Sequence, residues 1–143
     1  MKHFKFKEII LVDDDEVVAL LIKKMLNKIN FEGEVSFLKN GLEALNIIEA
    51  RISKDIQGPE YGPCLILLDL NMPIMDGWGL MESLKEYPNS VMEVFKIAIV
   101  TNSYNPSDQL KALEYPNILG YINKPLSPEI FLDFLIKEDL YEE

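Results

Sequence analysis

Acidic side chains follow two of the apolar runs in this sequence. Three aspartates, residues 13–15, come directly after the run 9–12, and Asp69 comes directly after the run 64–68. Carboxylates that lie close together repel one another unless a cation or a proton intervenes. Carboxylate oxygens are also the ligands that Mg²⁺ prefers. The sequence therefore predicts a divalent-cation site, provided that the fold brings the ends of the two runs together.

A hydroxyl and a lysine follow two further apolar runs. Thr101 ends the run 96–101, and Lys124 comes shortly after the run 118–122. The lysine supplies a positive charge, and the hydroxyl can donate a hydrogen bond to a bound oxyanion. Together with the carboxylates, these groups suit phosphoryl transfer, in which positioning and charge neutralisation do most of the work. One carboxylate can itself be the nucleophile and form an aspartyl-phosphate.

The elements that must position these groups alternate along the chain. The apolar runs lack polar alternation, which is typical of strands covered on both faces, and the segments between them show helical spacing. The predicted strands are 9–12, 34–38, 65–69, 96–101 and 118–122, and the predicted helices are 16–29, one capped by Asn40, 75–87, 106–114 and one capped by Ser127. Five βα repeats predict a doubly wound α/β fold, in which helices cover both faces of a five-stranded parallel sheet. Ligands bind such sheets beyond the carboxyl ends of the strands.

Composition and length exclude several classes of protein. The formal net charge of −10 argues against a nucleic-acid partner, because phosphate contacts need a basic patch. No apolar run approaches the length needed to span a bilayer, so we expect no membrane partner. The single cysteine, Cys64, excludes an internal disulfide and predicts a protein of the reducing cytoplasm. The 143 residues predict one domain over 1–143, with a core of about 8–140 and no output domain.

Four segments carry a more specific pattern. They are Val12-Asp13-Asp14-Asp15, Leu68-Asp69-Leu70-Asn71-Met72-Pro73-Ile74-Met75-Asp76-Gly77, Ile99-Val100-Thr101 and Gly120-Tyr121-Ile122-Asn123-Lys124-Pro125. In this order on a βα repeat, they resemble the receiver domain of bacterial two-component response regulators. The resemblance implies the flavodoxin-like (βα)5 fold of stand-alone, CheY-like receivers, with three layers. It extends from about residue 8 to residue 140.

The resemblance also implies a role for each matching residue. Asp69 would be the phosphoacceptor, Thr101 would donate its hydroxyl to the phosphoryl group, and Lys124 would pair with that group. Tyr121 would be an aromatic switch that turns inward as Thr101 moves. The implied cofactor is Mg²⁺, and its implied ligands are Asp13, Asp14, Asp69 and the backbone carbonyl of Asn71. The Lys124–Pro125 peptide bond would be cis.

The implied function is a signalling switch that catalyses only its own phosphorylation and dephosphorylation. His3 is the only histidine, so a phosphohistidine donor must be a separate histidine kinase or phosphotransfer protein. The residues two positions beyond the acceptor and the switch threonine, Asn71 and Ser103, are expected to modulate the lifetime of the phosphorylated state. The downstream target is a protein that the sequence does not identify.

The last helix offers a second interaction surface. Leu132, Ile136 and Leu140 recur at steps of four beside a set that faces the core. A line of three apolar residues suggests a contact surface for a homodimer or a partner protein. The alternative is that the line packs under a neighbouring helix or the C-terminal tail.

A different function class fits the first motif. The segment Asp13-Asp14-Asp15-Glu16-Val17 matches the D-x-D-x-[TV] pattern of haloacid-dehalogenase-like phosphohydrolases, with Asp13 as nucleophile and Asp15 as general acid/base. That family needs a late acidic pair on another strand after its lysine, and here the pair Glu138-Asp139 lies on a helix or its tail. We expect Asp15 to be a helix cap instead. Trp78 is interpreted as a packing residue on the third helix.

Overall fold

Strands and helices alternate along the chain in the computed structural model, which describes residues 3–54 and 63–143. The strands are β1 (His3–Phe4), β2 (Glu8–Val12), β3 (Glu34–Leu38), β4 (Cys64–Leu68), β5 (Phe95–Thr101), β6 (Ile118–Asn123) and β7 (Tyr141–Glu142). The helices are α1 (Glu16–Lys28), α2 (Gly41–Ser53), α3 (Gly77–Leu84), α4 (Asn89–Met92), α5 (Pro106–Ala112) and α6 (Pro128–Lys137). The composition of residues 53–63, with Gly58, Pro59, Gly62 and Pro63, predicts a long loop. Ser53 instead belongs to α2, and residues 55–62 lie outside the described residues.

Five of these strands form one parallel sheet in the order β3-β2-β4-β5-β6. The register places Val12 beside Leu68, Leu68 beside Ile99, and Thr101 beside Asn123. The carboxyl ends of the strands therefore meet along one edge of the sheet. The predicted doubly wound (βα)5 fold is confirmed. Separately, no helix among the described residues is long and apolar enough to cross a bilayer.

Two apolar cores lie on opposite faces of the sheet, which makes the three-layer arrangement. Alternate residues of each central strand enter different cores: Leu65 and Leu67 pack with α1 and α6, whereas Ile66 and Leu68 pack with α2 and α3. Burial on both faces explains why the strands read as continuous apolar runs. Each fully buried aliphatic side chain contributes about 2 kcal/mol to folding, so the sheet is a rigid support for the loops at its edge.

The helix starts predicted after Asp15, Asn40 and Ser127 are confirmed by their capping contacts. The Asp15 carboxylate accepts from the N–H groups of Val17 and Val18, and Ser127 accepts from the N–H of Ile130. These bonds satisfy backbone donors that the first helical turn leaves free. Because its carboxylate caps α1, Asp15 fits the cap interpretation better than the general acid/base role.

The buried face of α1 differs from the predicted one by a rotation. Spacing at steps of three and four predicts a buried stripe of Val18, Leu21, Ile22, Met25 and Ile29. Leu21 is instead 56% exposed, and Leu26 is buried in its place. Ile22 and Met25 form the rest of the fully buried face. Helical spacing allows either Leu21 or Leu26 to lie beside Ile22 on the buried face. The contact of α1 with α6 buries Leu26.

The third predicted helix is shorter than its predicted range of 75–87. It begins at Gly77 because the Asp76 carboxylate caps it by accepting from the N–H of Gly79 at 2.7 Å. It ends at Leu84, and Pro88 precedes the separate short helix α4. A proline disfavours helical backbone in the residue before it, which accounts for the break.

The two ends of the described chain pair with each other, which the sequence analysis missed. His3 and Phe4 form an antiparallel pair with Glu142 and Tyr141, respectively. His3 was predicted to lie in a frayed terminus, because it precedes the first predicted strand, and this prediction was wrong. Two-residue strands have no readable period, so only tertiary contacts reveal them.

Candidate functional site

The sheet brings the two acidic segments side by side. Asp13 and Asp69 follow the paired residues Val12 and Leu68, and the N–H of Asp69 donates to the carbonyl of Val12 at 3.0 Å. Both aspartates are buried, which is unusual for carboxylates unless they have partners. The proximity predicted from the ends of the two apolar runs is therefore present.

Lys124 is the partner of both carboxylates. Its Nζ lies 2.7 Å from Oδ2 of Asp13 and 3.3 Å from Oδ2 of Asp69. The exposed fraction of the side chain is 11% for Lys124, 2% for Asp13 and 9% for Asp69. The backbone N–H of Lys124 donates to the carbonyl of Thr101 at 2.9 Å, and the Lys124–Pro125 bond is cis, as predicted.

The charges of this cluster do not balance. Burial raises the pKa of Asp13, and this effect outweighs the hydrogen bond from Lys124 and the N–H of Asp15, which lower it. Burial by itself lowers the pKa of Lys124, but the hydrogen bond and charge of Asp13, with the charge of Asp69, raise it above its ordinary value. Lys124 is thus a cation facing two carboxylates. The remaining negative charge favours a second cation.

The carboxylates that could hold such a cation are Asp13, Asp14 and Asp69. One carboxylate oxygen from each lies within 4.8 Å of the other two. Asp14 is exposed and the other two are buried, so the group opens to solvent on one side. All three donors are hard oxygens, which fits Mg²⁺ and its retained water ligands. Asn71 is exposed in the loop after β4, and its carbonyl as a further ligand stays a prediction.

The loop after β4 is held close against the phosphoacceptor candidate. The N–H of Leu70 donates to Oδ1 of Asp69 at 2.8 Å, and the N–H of Gly77 donates to the carbonyl of Leu70 at 3.0 Å. A Cβ at position 77 would lie 2.6 Å from the carbonyl oxygen of Asp69. No residue with a side chain can stand there without moving the loop, which explains the glycine.

Thr101 lies at the same edge and is fully buried. Its Oγ1 accepts a hydrogen bond from the N–H of Ser103 at 3.2 Å. A hydroxyl has one donor hydrogen and two acceptor lone pairs. The hydrogen of Thr101 therefore stays available for another acceptor, as its predicted role requires.

Tyr121 is tied to the loop after β5. Its hydroxyl donates to the carbonyl of Ser103 at 2.9 Å, and the side-chain amide of Asn123 donates to the same carbonyl at 2.7 Å. Burial raises the pKa of Tyr121, so the phenol keeps its proton and acts as a donor. Asn123 was not singled out in the sequence, although its place one residue before Lys124 puts it at the edge.

A second set of contacts escaped the sequence analysis entirely. Asp108, in the first turn of α5, accepts from the hydroxyl of Ser103 at 2.6 Å and from the indole N–H of Trp78 at 3.0 Å. Trp78 was expected to be a packing residue, and it does stack on Tyr115. Its hydrogen bond to Asp108 joins residues 30 positions apart, and no local pattern signals such a contact.

Comparison with known proteins assigns the class. A family model described as "Response regulator receiver domain" matches residues 9–135. The chain therefore belongs to the response regulator receiver family, and it is a receiver domain of two-component signalling. Response regulator Rcp1 of Synechocystis sp. is 30% identical over 112 residues, which cover 76% of this chain and 70% of that protein.

Solved structures agree with this assignment. A two-component response regulator from Cytophaga hutchinsonii matches with a TM-score of 0.77 and 24% identity, covering 93% of this chain and 96% of that one. At 24% identity, this match supports the fold alone. The Mn(2+)-bound form of response regulator Rcp1 matches with a TM-score of 0.65 and 27% identity, covering 93% and 92%. Nothing in these comparisons supports the haloacid-dehalogenase-like alternative.

Proposed function

We propose that Asp69 accepts a phosphoryl group from the phosphohistidine of a separate histidine kinase or phosphotransfer protein. The observation that carries this proposal is the contact of Lys124 with both Asp13 and Asp69 at the carboxyl edge of the sheet. A buried cation beside a carboxylate can neutralise the oxygens of an incoming phosphoryl group. Asp13 has its second oxygen bound to the N–H of Asp15, which supports a fixed, ligand-type role.

In the proposed transfer, a carboxylate oxygen of Asp69 forms a bond to phosphorus while the phosphorus–nitrogen bond of the donor breaks. The bonding electrons stay on the ring nitrogen, and because the other ring nitrogen of the phosphohistidine carries a proton, the histidine leaves as a neutral imidazole. Lys124 neutralises one phosphoryl oxygen, and the free hydroxyl hydrogen of Thr101 is donated to another. The product is an acyl phosphate, which water can hydrolyse, so the switched state limits its own lifetime.

Asp13, Asp14 and Asp69 would hold Mg²⁺, with the backbone carbonyl of Asn71 as a further ligand. The three carboxylates lie close enough together, and their combined charge exceeds that of Lys124. Rcp1, a relative by sequence and by structure, has a Mn(2+)-bound form, which supports divalent-metal binding here. When bound, the metal would neutralise phosphoryl charge.

The output would pass through the face made by α5, β6 and α6, which Thr101 and Tyr121 connect to the site. Helices α5 and α6, with the residue that ends α5, carry four exposed aliphatic residues: Leu110, Leu113, Ile130 and Ile136. The line predicted on the last helix is altered, because Leu140 is buried and Leu132 packs against the core. Ile136 is its exposed member. A homodimer or a partner protein would bind here when Asp69 is phosphorylated.

Sedimentation of the wild type and Ile136→Asp, with and without beryllofluoride, tests the dimer. Leu42→Asp on α2 is a matched control, because Leu42 is a similarly exposed aliphatic residue on a helix that packs on the opposite face of the sheet from α6. A dimer that forms with beryllofluoride and disappears only in Ile136→Asp supports the homodimer. An activated wild type that stays monomeric leaves the partner-protein version.

The acceptor itself is tested by mapping the modified residue. The protein is incubated with acetyl phosphate in Mg²⁺ or in EDTA, reduced with borohydride to trap the acyl phosphate, and mapped by mass spectrometry. We expect one modification, on Asp69, that depends on Mg²⁺. A modification on Asp13 would instead favour the phosphohydrolase with Asp13 as nucleophile.

A further inference from the structure

Asp108 connects helix α3 to the loop between Thr101 and α5. Among the described residues, no other side-chain hydrogen bond links these two segments. The two carboxylate oxygens of Asp108 are both engaged: Oδ1 accepts from the indole of Trp78 at 3.0 Å, and Oδ2 accepts from the hydroxyl of Ser103 at 2.6 Å. Trp78 belongs to α3, and Ser103 belongs to the loop between Thr101 and α5. The half-buried carboxylate therefore bridges a helix and the loop beside the site.

Ser103 is the residue through which this bridge reaches the site. Its N–H donates to the hydroxyl oxygen of Thr101, and its carbonyl accepts from Tyr121 and Asn123. Asp108 holds the third polar group of the same residue, the hydroxyl. The orientation of Thr101 and the docking of Tyr121 thus both depend on where Ser103 is held.

Trp78 is a firm anchor for the bridge. Its ring stacks on Tyr115 with a centroid distance of 5.8 Å and an interplanar angle of 20°, and the ammonium of Lys111 lies 4.9 Å from its centroid. Tyr115 is itself buried, and its hydroxyl donates to the carboxylate of Glu82. Because these contacts hold the indole ring on two sides, its N–H points in one fixed direction. The hydrogen bond from this N–H therefore ties the carboxylate of Asp108 to α3.

We propose that Asp108 is a positioning residue that orders Ser103, and through it Thr101 and Tyr121, for phosphoryl binding at Asp69. This proposal rests on the proposed function of Asp69. A loop that is already ordered loses less conformational entropy when a ligand binds, so affinity is higher. The competing explanation is local: an acidic residue in the first turn of α5 stabilises that helix through its dipole.

The two explanations differ for Asp108→Asn. The amide oxygen of asparagine still accepts from the indole, and its NH₂ can donate to the hydroxyl of Ser103, which accepts as well as donates. Asparagine therefore keeps both contacts and removes the charge. Positioning predicts that Asn behaves like the wild type and Ala does not. The dipole explanation predicts that Asn and Ala are equally impaired.

The test is the affinity for beryllofluoride in Mg²⁺, measured by calorimetry on the wild type, Asp108→Ala, Asp108→Asn and the exposed neighbour control Gln109→Ala. We expect Asp108→Ala to bind about five- to tenfold more weakly, since two hydrogen bonds are lost. Asp108→Asn and Gln109→Ala are expected to stay within about twofold of the wild type. Urea unfolding confirms that each variant is folded at the assay temperature.

Two results overturn the proposal: equal affinity of Asp108→Ala and the wild type, or equal loss in Ala and Asn. If the wild type binds no beryllofluoride, the proposed function of Asp69 fails, and amide hydrogen exchange then decides the positioning separately. Exchange of the Ser103 amide should be faster in Asp108→Ala than in the wild type and unchanged in Gln109→Ala. Unchanged exchange in Asp108→Ala also overturns the proposal.

Discussion

Strand β2 has a charged cluster at each end, and the two clusters differ in balance. At its amino end, the carboxylate of Glu8 receives two hydrogen bonds from the guanidinium of Arg51, each 2.5 Å long. At its carboxyl end, Asp13 and Asp69 share the single ammonium of Lys124, and Asp14 lies beside them. One cluster pairs a single acid with a single base, and the other has more acids than bases.

This difference separates a structural ion pair from a site. The Glu8–Arg51 pair is bidentate, so the carboxylate and the fork of the guanidinium satisfy each other. The hydrogen bond with Glu8 raises the pKa of Arg51. The cluster at Asp69 keeps uncompensated charge and a solvent-facing carboxylate, and such a cluster gains from binding a cation. Charge balance is therefore more informative than the presence of buried charges.

The largest expected difference between the two ends is in phosphoryl uptake. Asp69→Asn should abolish Mg²⁺-dependent phosphorylation by acetyl phosphate, because the amide nitrogen and oxygen are poor nucleophiles. Glu8→Gln, an equally conservative change at the other end of β2, should leave uptake intact. Intact-mass measurements on both variants check this. Uptake that persists in Asp69→Asn would mean that another residue is the acceptor.

The next largest effect is on stability, and it belongs to the amino end. Arg51→Ala leaves the half-buried Glu8 without its partner, and we expect the free energy of unfolding to fall by about 2 kcal/mol. Adding Glu8→Gln should recover part of that loss, because the unpaired charge is removed. Urea unfolding measures both. Phosphoryl uptake by folded Arg51→Ala should match the wild type, and a reduced uptake would show that the two ends are coupled.

The third prediction concerns the metal. Asp14→Ala should weaken Mg²⁺ binding by about tenfold or more, because one oxygen ligand is lost. In the absence of Mg²⁺ the same change should raise the melting temperature slightly, because crowded carboxylates repel one another. Mg²⁺ titration and thermal melts in EDTA check the two parts. An unchanged Mg²⁺ affinity would remove Asp14 from the set of ligands.

The last effect, which vanishes at neutral pH, is a pH dependence at the amino end. Burial, with the neighbouring charge of Glu8, raises the pKa of Cys64 from 9.0 to about 12. Above pH 9 the unfolded thiol loses its proton while the folded thiol keeps it, so stability falls as pH rises. We expect Cys64→Ala to remove a slope of about 1 kcal/mol per pH unit between pH 9 and 11.

Urea unfolding at pH 7, 9, 10 and 11 measures that slope. At pH 7 the thiol is protonated in both states, so the two proteins should show the same pH dependence there. Profiles that stay parallel up to pH 11 would contradict the burial of the thiol.

The sequence predicted the residues at the carboxyl edge because their positions depend on single strands. Asp13, Asp69, Thr101 and Lys124 each follow an apolar run, and a parallel sheet aligns the ends of such runs. The bridge from Trp78 through Asp108 to Ser103 joins side chains from three elements. Each of the three has an ordinary local interpretation, so only the folded arrangement reveals the contact.

The fold shows the same limit. The order of the elements was predictable, because burial in the core produces the apolar runs of the strands and the helical spacing of the segments between them. The buried face of α1 was not, because Leu21 and Leu26 fit a helical stripe equally well until α6 packs against it. The pairing of β1 with β7 depends on contacts between residues at opposite ends of the described chain.

The pairing of β1 with β7 brings the two ends of the described chain together, so that the chain forms a closed ring. Lys5 donates to Asp139, 134 positions away, at 2.6 Å. Closing a loop of that length in an unfolded chain costs about 4 kcal/mol of entropy, which two-residue strands cannot repay. The closure becomes favourable only after β2 and α6 have docked and brought both segments together. In folding, the ring should therefore close last.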